Sequence, residues 1–264
     1  MMRLAFWRPR PVPVLQLHGL IAARPGALNI DVIGPLIDRA IAIAAAGKPG
    51  VLLLDIQSPG GSPVQSDLIA TRLRRRAEEK GVRLVAVIGE VGASGGYWLA
   101  CAADEIVANA MSVVGSIGVI GGGFGLAPVL ARLGIERRLY TAGANKARLD
   151  PFSPERPEDV AFVRDLLDQL HARFKDWVRQ RRAGRLRGEE AALFDGGWML
   201  GARAAELGLV DRLGDLDSVL REIGGPKARA LVLRPRRRGL LARLPRMLAE
   251  EVVSAIESAA GPLR

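Results

Sequence analysis

The chain has 264 residues, of which 49% are hydrophobic and 25% charged, enough for one medium-sized domain with a sizeable core. Its formal net charge is +10, but no aromatic residues are interleaved with the arginine clusters and no nucleic-acid motif is present. Two isolated histidines and a single cysteine form neither a metal-ligand cluster nor an intrachain disulfide. We therefore expect no metal, no cofactor and no nucleic-acid partner.

Strand-like and helical patterns alternate from the N-terminus onward. They predict strands over 12–17, 51–56 and 84–88, separated by helices over 30–46 and 64–79 and followed by a helix over 94–102. Because the strands are apolar throughout, we expect parallel α/β layers with both sheet faces covered. Later elements are a short strand near Ile106, a helix over 126–133, a further segment at 138–141, and a long helix from Pro157 to about Arg182.

The two ends of the chain differ from its centre. We divide it into an N-terminal extension (1–11), a domain (12–225) and a basic C-terminal tail (226–264) with an amphipathic helix. The sequence shows no signal peptide or membrane-spanning stretch, and the single Cys101 fits a reducing compartment. We therefore expect a cytoplasmic protein, with peripheral contact to the inner membrane as one option.

The tail is open to three interpretations. Six arginines lie between Arg234 and Arg246, and apolar residues then recur at helical spacing. Such a segment can lie on an anionic membrane, pack on a neighbouring subunit, or remain a solvated end.

Candidate catalytic residues first appear after the predicted third strand. Ser94 lies between glycines at the start of a helix, where a hydroxyl can face open space as a nucleophile, although turns and helix caps also use such serines. A second glycine turn, 57–62, follows the strand before it. Turns at the ends of neighbouring strands can face each other across one cleft, so the amides of Gly61 and Gly95 are candidate donors to an oxyanion.

The choice of base depends on which residues are available. His18 lies in the first strand and His171 lies beside the apolar stripe of the long helix, so neither suits a serine–histidine pair. This scarcity favours Lys146, in the polar loop 141–146, although most loop lysines are simply solvated. A free lysine amine has a pKa of about 10.4, so a lysine that acts as a base must have this pKa lowered, by burial or by a nearby positive helix end.

Five segments in sequence order resemble the signal peptide peptidase A family of serine proteases, peptidase family S49. They are LDIQSPGG (54–61), GASGGYWLA (92–100), AADEIVA (102–108), VGSIGVI (114–120) and AELGLVD (205–211). The resemblance covers roughly residues 12–225. It implies an α/β fold of the Clp protease/crotonase-like group, with layered strand-strand-helix units, followed here by a C-terminal helical tail. It also implies a homo-oligomer, whereas the membrane anchor that family members often carry at the N-terminus is not evident.

The resemblance also assigns roles to individual residues. Ser94 matches the nucleophile, Lys146 the general base, and Ser116 a serine that hydrogen-bonds the lysine amine. Gly61 matches the oxyanion-hole glycine, with the Gly95 amide as its partner. An extended peptide would be held by main-chain hydrogen bonds along strand edges, and we assign that substrate-binding role to Gly60, Ile117 and Gly118.

These roles predict a serine endopeptidase that works through an acyl-enzyme on extended peptides with apolar or small side chains. Signal peptide remnants and other membrane-derived or unfolded peptides are such substrates. Two alternatives stay open: a crotonase-type acyl-CoA enzyme, and a non-catalytic, membrane-associated scaffold of the same fold.

Overall fold

The computed structural model describes residues 11–235. Within these residues, eight strands form one sheet: β1 (Val12–His18), β2 (Val51–Ser58), β3 (Arg83–Ala93), β4 (Glu105–Ala108), β5 (Val113–Gly115), β6 (Trp198–Leu200), β7 (Arg212–Leu213) and β8 (Ala230–Leu233). The helices are α1 (Ile30–Ala45), α2 (Pro63–Lys80), α3 (Gly95–Ala100), α4 (Ala127–Arg132), α5 (Pro157–Arg181), α6 (Glu190–Leu193), α7 (Gly201–Glu206) and α8 (Leu216–Gly224).

The sheet follows the order β6-β5-β3-β2-β1-β8, with β4 also pairing β3, and β7 pairing β4. Strand β3 therefore has two successive neighbours on one edge. Its residues 85–88 pair with β4, and its residues 91–93 pair with β5. All pairs are parallel except β5 with β6. The predicted parallel α/β layering is confirmed.

Alternate residues of the central strands face two different cores. Leu52, Leu54 and Ile56 of β2 pack in the larger cluster with residues of α1, α2 and α3, whereas Val51 and Leu53 face the smaller cluster that includes residues of α8. This double burial is the physical reason that the central strands are apolar throughout.

Local chemistry fixes where α2 begins and ends. The Ser62 side chain accepts a hydrogen bond from the Gln65 amide, Pro63 occupies the first turn, and Gly81 ends the helix in the left-handed conformation with φ 62°. Helix α2 therefore starts at a defined point directly after the Gly60–Gly61 turn.

Several predicted boundaries differ from the structure. Strand β3 continues to Ala93, beyond the predicted end at Ile88, because its last residues pair with β5. The segment 138–141 forms neither helix nor strand. Strand β8 lies within the region that we assigned to the tail and pairs with β1. The predicted helix of the tail lies outside the described residues. No helix within 11–235 is both long enough and apolar enough to cross a membrane.

Candidate active site

Ser94 lies at the junction of β3 and α3 in an unusual backbone conformation. Its φ of 51° and ψ of −123° are rare for a residue with a side chain. The Ser94 amide donates to the Gly115 carbonyl at 2.9 Å, and its own carbonyl accepts from the Trp98 amide at 2.9 Å. Such strain persists where the surrounding structure fixes it, and it is concentrated at functional sites.

The Gly60–Gly61 turn packs directly against this serine. A Cβ added to Gly60 would lie 2.6 Å from the Gly95 nitrogen and 2.7 Å from the Ser94 Cβ. One added to Gly61 would collide with the Ile21 carbonyl. Both glycines have positive φ, 98° and 139°. Only glycine allows the turn to come this close in this conformation.

Gly60 and Gly61 differ in what their main-chain groups bind. The Gly60 amide donates to Ser58 Oγ at 3.2 Å, and its carbonyl accepts from the Ile21 amide at 2.9 Å. Both main-chain groups of Gly60 therefore already have hydrogen-bond partners. Gly60 can contribute to substrate binding only through the room left by its missing side chain. The amides of Gly61 and Gly95, by contrast, have no hydrogen-bond partner within residues 11–235. Gly95 directly follows Ser94, and Gly61 follows Gly60, which packs against both Ser94 and Gly95.

Ser116 follows β5 just as Ser94 follows β3. Since Ala93 and Gly115 are paired in register, the two serines leave neighbouring strand ends side by side. Ser116 also has positive φ, 52°, and its amide donates to the Gly197 carbonyl at 2.6 Å. Among the described residues, the non-glycine positions with positive φ are Ser94, Ser116 and Leu149. Two of the three are predicted site residues, and the third lies three positions after Lys146.

The predicted substrate-binding stretch continues from Ser116. Ile117 is 1% exposed, and its carbonyl accepts a hydrogen bond from His171 Nε2 at 2.9 Å. Gly118 lies against Gly196, where an added Cβ would be 2.8 Å from the Gly196 Cα. This stretch is held between α5 and the loop that precedes β6.

Lys146 is exposed in a turn, and its amide donates to the Gly143 carbonyl at 3.2 Å. Within residues 11–235 its amine forms no hydrogen bond or ion pair, including with Ser94 or Ser116. The structure therefore brings Ser94, Ser116, Gly60, Gly61 and Gly95 together, and it gives no contact between this group and the lysine amine.

The loop that carries Lys146 is nevertheless anchored. Arg148 pairs with the buried Asp159 at 3.3 Å and lies 4.5 Å from the centre of the Phe162 ring. Asp150 pairs with Arg137. The contacts of Arg148 fix the loop to the start of α5, and the pair of Asp150 with Arg137 joins it to the segment after α4, while the Lys146 amine stays in solvent.

Helix α3 is fixed on its buried side by a polar network that the sequence pattern did not reveal. The Tyr97 hydroxyl donates to the Leu209 carbonyl at 2.7 Å. Arg182, 1% exposed, binds both carboxylate oxygens of Asp211 at 2.8 and 2.9 Å and donates to the Gly208 carbonyl. The segment 205–211, recognised only by resemblance, thus has a structural role, because it anchors α3, the helix that follows Ser94.

Two pKa shifts accompany this burial. Burial raises the pKa of the Cys101 thiol to about 12, so this cysteine stays protonated and is not a nucleophile. Burial opposes ionisation of Asp211, but hydrogen bonds from Arg182 and the Ile106 amide outweigh it and hold the pKa of that carboxyl below its ordinary value.

The sequence pattern of Peptidase family S49 matches residues 76–227, which include Ser94, Ser116, Lys146 and the anchoring segment. The chain belongs to peptidase family S49. The protein named Probable protease SohB from Buchnera aphidicola subsp. Acyrthosiphon pisum is 32% identical over 190 residues, 72% of this chain and 55% of that protein. The chloroplastic serine protease SPPA of Arabidopsis thaliana is 28% identical over 215 residues, 79% of this S49 chain and 31% of the plant protein.

A further relative has a different name. A Na(+)/H(+) antiporter NhaA of Brucella abortus is 44% identical over 237 residues, 88% of this chain but 31% of the antiporter. The S49 chain thus spans about a third to about a half of the length of these curated relatives.

Among solved structures, a mutant of the 1510-N membrane-bound stomatin-specific protease superposes with a TM-score of 0.54 at 13% identity. The match covers 87% of this chain and all (100%) of that chain. This likeness confirms the predicted Clp protease/crotonase-like fold class, and the family match confirms the predicted S49 resemblance.

Proposed function

We propose that the S49 chain is a serine endopeptidase whose nucleophile is Ser94. The observation that carries this proposal is the serine's strained position between β3 and α3, next to the unpaired amides of Gly61 and Gly95. Strain at a nucleophile, together with free donors for a developing oxyanion, is the arrangement that acyl transfer requires.

The reaction proceeds in two stages. Ser94 Oγ attacks the peptide carbonyl carbon, its proton passes to the base, and the carbonyl oxygen becomes an anion bound by the Gly61 and Gly95 amides. The C–N bond then breaks, the base returns the proton to the leaving amine, and an ester remains on Ser94. Water, deprotonated by the same base, hydrolyses this ester and regenerates the hydroxyl.

Lys146 is the base in this proposal, with the Ser116 hydroxyl as hydrogen-bond partner of its amine. Its place on an anchored loop supports the assignment, since Arg148 holds that loop to α5. A lysine base has to be neutral, and removal from water is the usual way to make it so. Something must therefore cover this loop in the working enzyme.

We further propose that a second copy of the chain provides this cover. From 118 to 158 no residue is fully buried. Large apolar side chains in this stretch face solvent, among them Ile120 at 99%, Phe124 at 85% and Tyr140 at 88% exposure. Such a surface marks an interaction site. One homo-oligomeric contact would bury these side chains and the lysine loop together; a membrane surface is the competing occupant.

The proposed substrates are extended peptides with apolar or small side chains, such as signal peptide remnants or other membrane-derived or unfolded segments. An extended chain can add to a strand edge through main-chain hydrogen bonds, which leaves the free amide of Gly61 for the carbonyl of the cleaved bond.

Labelling with a fluorophosphonate tests the catalytic assignments. Mass spectrometry should locate the adduct on Ser94 in the wild type and should find no adduct in Ser94→Ala. In Lys146→Ala the rate of labelling at Ser94 should fall strongly. Lys175→Ala, which changes a lysine on α5, is the matched control and should label at the wild-type rate. Folded wild-type protein left unlabelled at Ser94 would reject the peptidase in favour of the acyl-CoA enzyme or the scaffold. Undiminished labelling of Lys146→Ala would reject the base.

A further inference from the structure

A histidine outside the catalytic group binds the backbone of the predicted substrate-binding stretch. His171 lies on α5, and its Nε2 is 2.9 Å from the Ile117 carbonyl oxygen. A carbonyl oxygen can only accept, so Nε2 carries the proton and donates it. The same bond forms in the neutral Nε2–H tautomer and in the imidazolium, because both carry a proton on that nitrogen.

This bond determines where the next amide points. The Ile117 carbonyl and the Gly118 N–H belong to one planar peptide unit, which is not among the cis bonds of the chain. In a trans unit the C=O and N–H point in opposite directions. Because the carbonyl points at α5, the Gly118 amide points away from α5. No hydrogen bond joins that amide to another residue in 11–235.

The surroundings leave this peptide unit little freedom to turn over. One residue earlier, the Ser116 amide donates to the Gly197 carbonyl at 2.6 Å. Gly118 itself lies against Gly196. On the α5 side, a Cβ added to Gly121 would be 3.1 Å from Leu167, one turn before His171. His171 is thus the hydrogen-bonding part of a longer contact between α5 and this stretch.

We propose that His171 is a positioning residue: by holding the Ile117 carbonyl, it aims the Gly118 amide as a main-chain donor to the carbonyl of an extended peptide substrate. Gly118, rather than the carbonyl of Ile117, then carries the substrate hydrogen bond of this stretch. The inference rests on the proposed peptidase function. It concerns peptide binding and leaves the serine chemistry itself unchanged.

Two substitutions of His171 distinguish the effect of its N–H donor from the effect of its side-chain size. His171→Leu removes the N–H, whereas His171→Gln keeps an N–H at a similar reach. Loss of one substrate hydrogen bond lowers kcat/KM for peptide hydrolysis about tenfold in His171→Leu, and His171→Gln should recover to within about threefold of the wild type. Gln169→Leu is the control, since Gln169 is exposed on the same helix and its side chain binds Asp165 of that helix.

A second readout distinguishes positioning from general damage. A small fluorophosphonate reacts at Ser94 without needing the Gly118 amide, so its labelling rate should change little in His171→Leu while peptide cleavage falls. An equal fall in both rates, or no fall in peptide cleavage, would overturn the proposal.

Hydrogen exchange makes the test independent of activity. In His171→Leu, the amides of 116–118 should exchange faster than in the wild type, and His171→Gln should restore their protection. If the wild type neither labels nor cleaves, the proposed function fails. The exchange data then still decide whether His171 holds this stretch, and unchanged exchange in His171→Leu would reject that as well.

Discussion

Two neighbouring parts of the chain carry the two halves of the proposed dyad, and they differ in how completely one chain builds them. The nucleophile segment, 84–117, contains Ser94 and Ser116 and is mostly buried. The arm, defined as residues 119–156, contains Lys146 and has no fully buried residue. The first is pre-organised by its own chain, whereas the second presents apolar side chains and an amine to solvent.

The contrast follows from what surrounds each part. The nucleophile segment contains central strands of the sheet and α3. Helix α3 is anchored through Tyr97 to the segment 205–211, which the ion pair of Arg182 with Asp211 holds in place. The arm has one short helix, α4, and is held by ion pairs such as Arg148 with Asp159. Oxyanion stabilisation depends on fixed donors, which a single chain can supply. A lysine base depends on removal from water, which here requires a covering surface.

The largest expected effect concerns the anchor of the nucleophile segment. Arg182→Met removes a buried guanidinium, which leaves the partly exposed Asp211 carboxylate without its main partner and the Gly208 carbonyl without its donor, and it should lower the free energy of unfolding by about 3 kcal/mol. Urea denaturation measures this loss. Arg185→Met is the control: Arg185 is 43% exposed on its side chain and pairs with the same carboxylate, so it should cost less than about 1 kcal/mol. Equal costs would show that burial of Arg182 does not govern the anchor.

The next effect tests the proposed oxyanion donor, the Gly61 amide. Gly61→Ala places a Cβ against the Ile21 carbonyl at a positive φ, so the turn must move and its amide loses its aim. Removing one such donor lowers kcat about 100-fold or more. Peptide hydrolysis by protein shown to be folded is the measurement. Gly123→Ala, in the arm with open space around it, should remain at wild-type activity.

The sequence carries more local signal in the nucleophile segment than in the arm, for physical reasons. Apolar strands and glycine turns are recognisable locally, so Ser94 and Gly61 were predicted as site residues from the residues alone. Strand β5 has three residues, too few to show the alternating hydrophobic pattern of a strand, and Ser116 was assigned only by resemblance. The bond from His171 to Ile117 spans 54 residues and leaves no local trace. Whether Lys146 is covered depends on a contact that residues 11–235 do not contain.

A smaller effect should appear in the arm. Phe124→Glu puts a charge into an apolar surface without touching the nucleophile segment, and it should shift sedimentation velocity toward the monomer at micromolar concentration. Peptide hydrolysis should fall with the oligomer fraction. Arg138→Glu, an exposed change in the same arm, is the control. A wild type that is monomeric but binds anionic vesicles through the arm would instead identify a membrane as the cover.

The smallest effect tests whether the surface ion pairs between α1 and α2 contribute to stability. The hydrogen bond from Arg72, with help from Arg76, lowers the pKa of Asp38 below its ordinary value although burial opposes this. A carboxyl whose pKa is lower in the folded state than in the unfolded state contributes stability above its unfolded pKa of about 3.9. That stability is lost as the pH falls through the folded-state pKa. Asp38→Asn should therefore cost at most about 1 kcal/mol at pH 7 and progressively less below about pH 4.

Urea denaturation at several pH values, with Asp67→Asn as the exposed control, measures this difference. The cost should also shrink in about 1 M salt, because surface pairs are screened. A cost that stays constant across pH would mean that Asp38 acts through packing rather than charge. In that case the contact between α1 and α2, unlike the arm with its ion-paired loop, rests on its buried side chains alone.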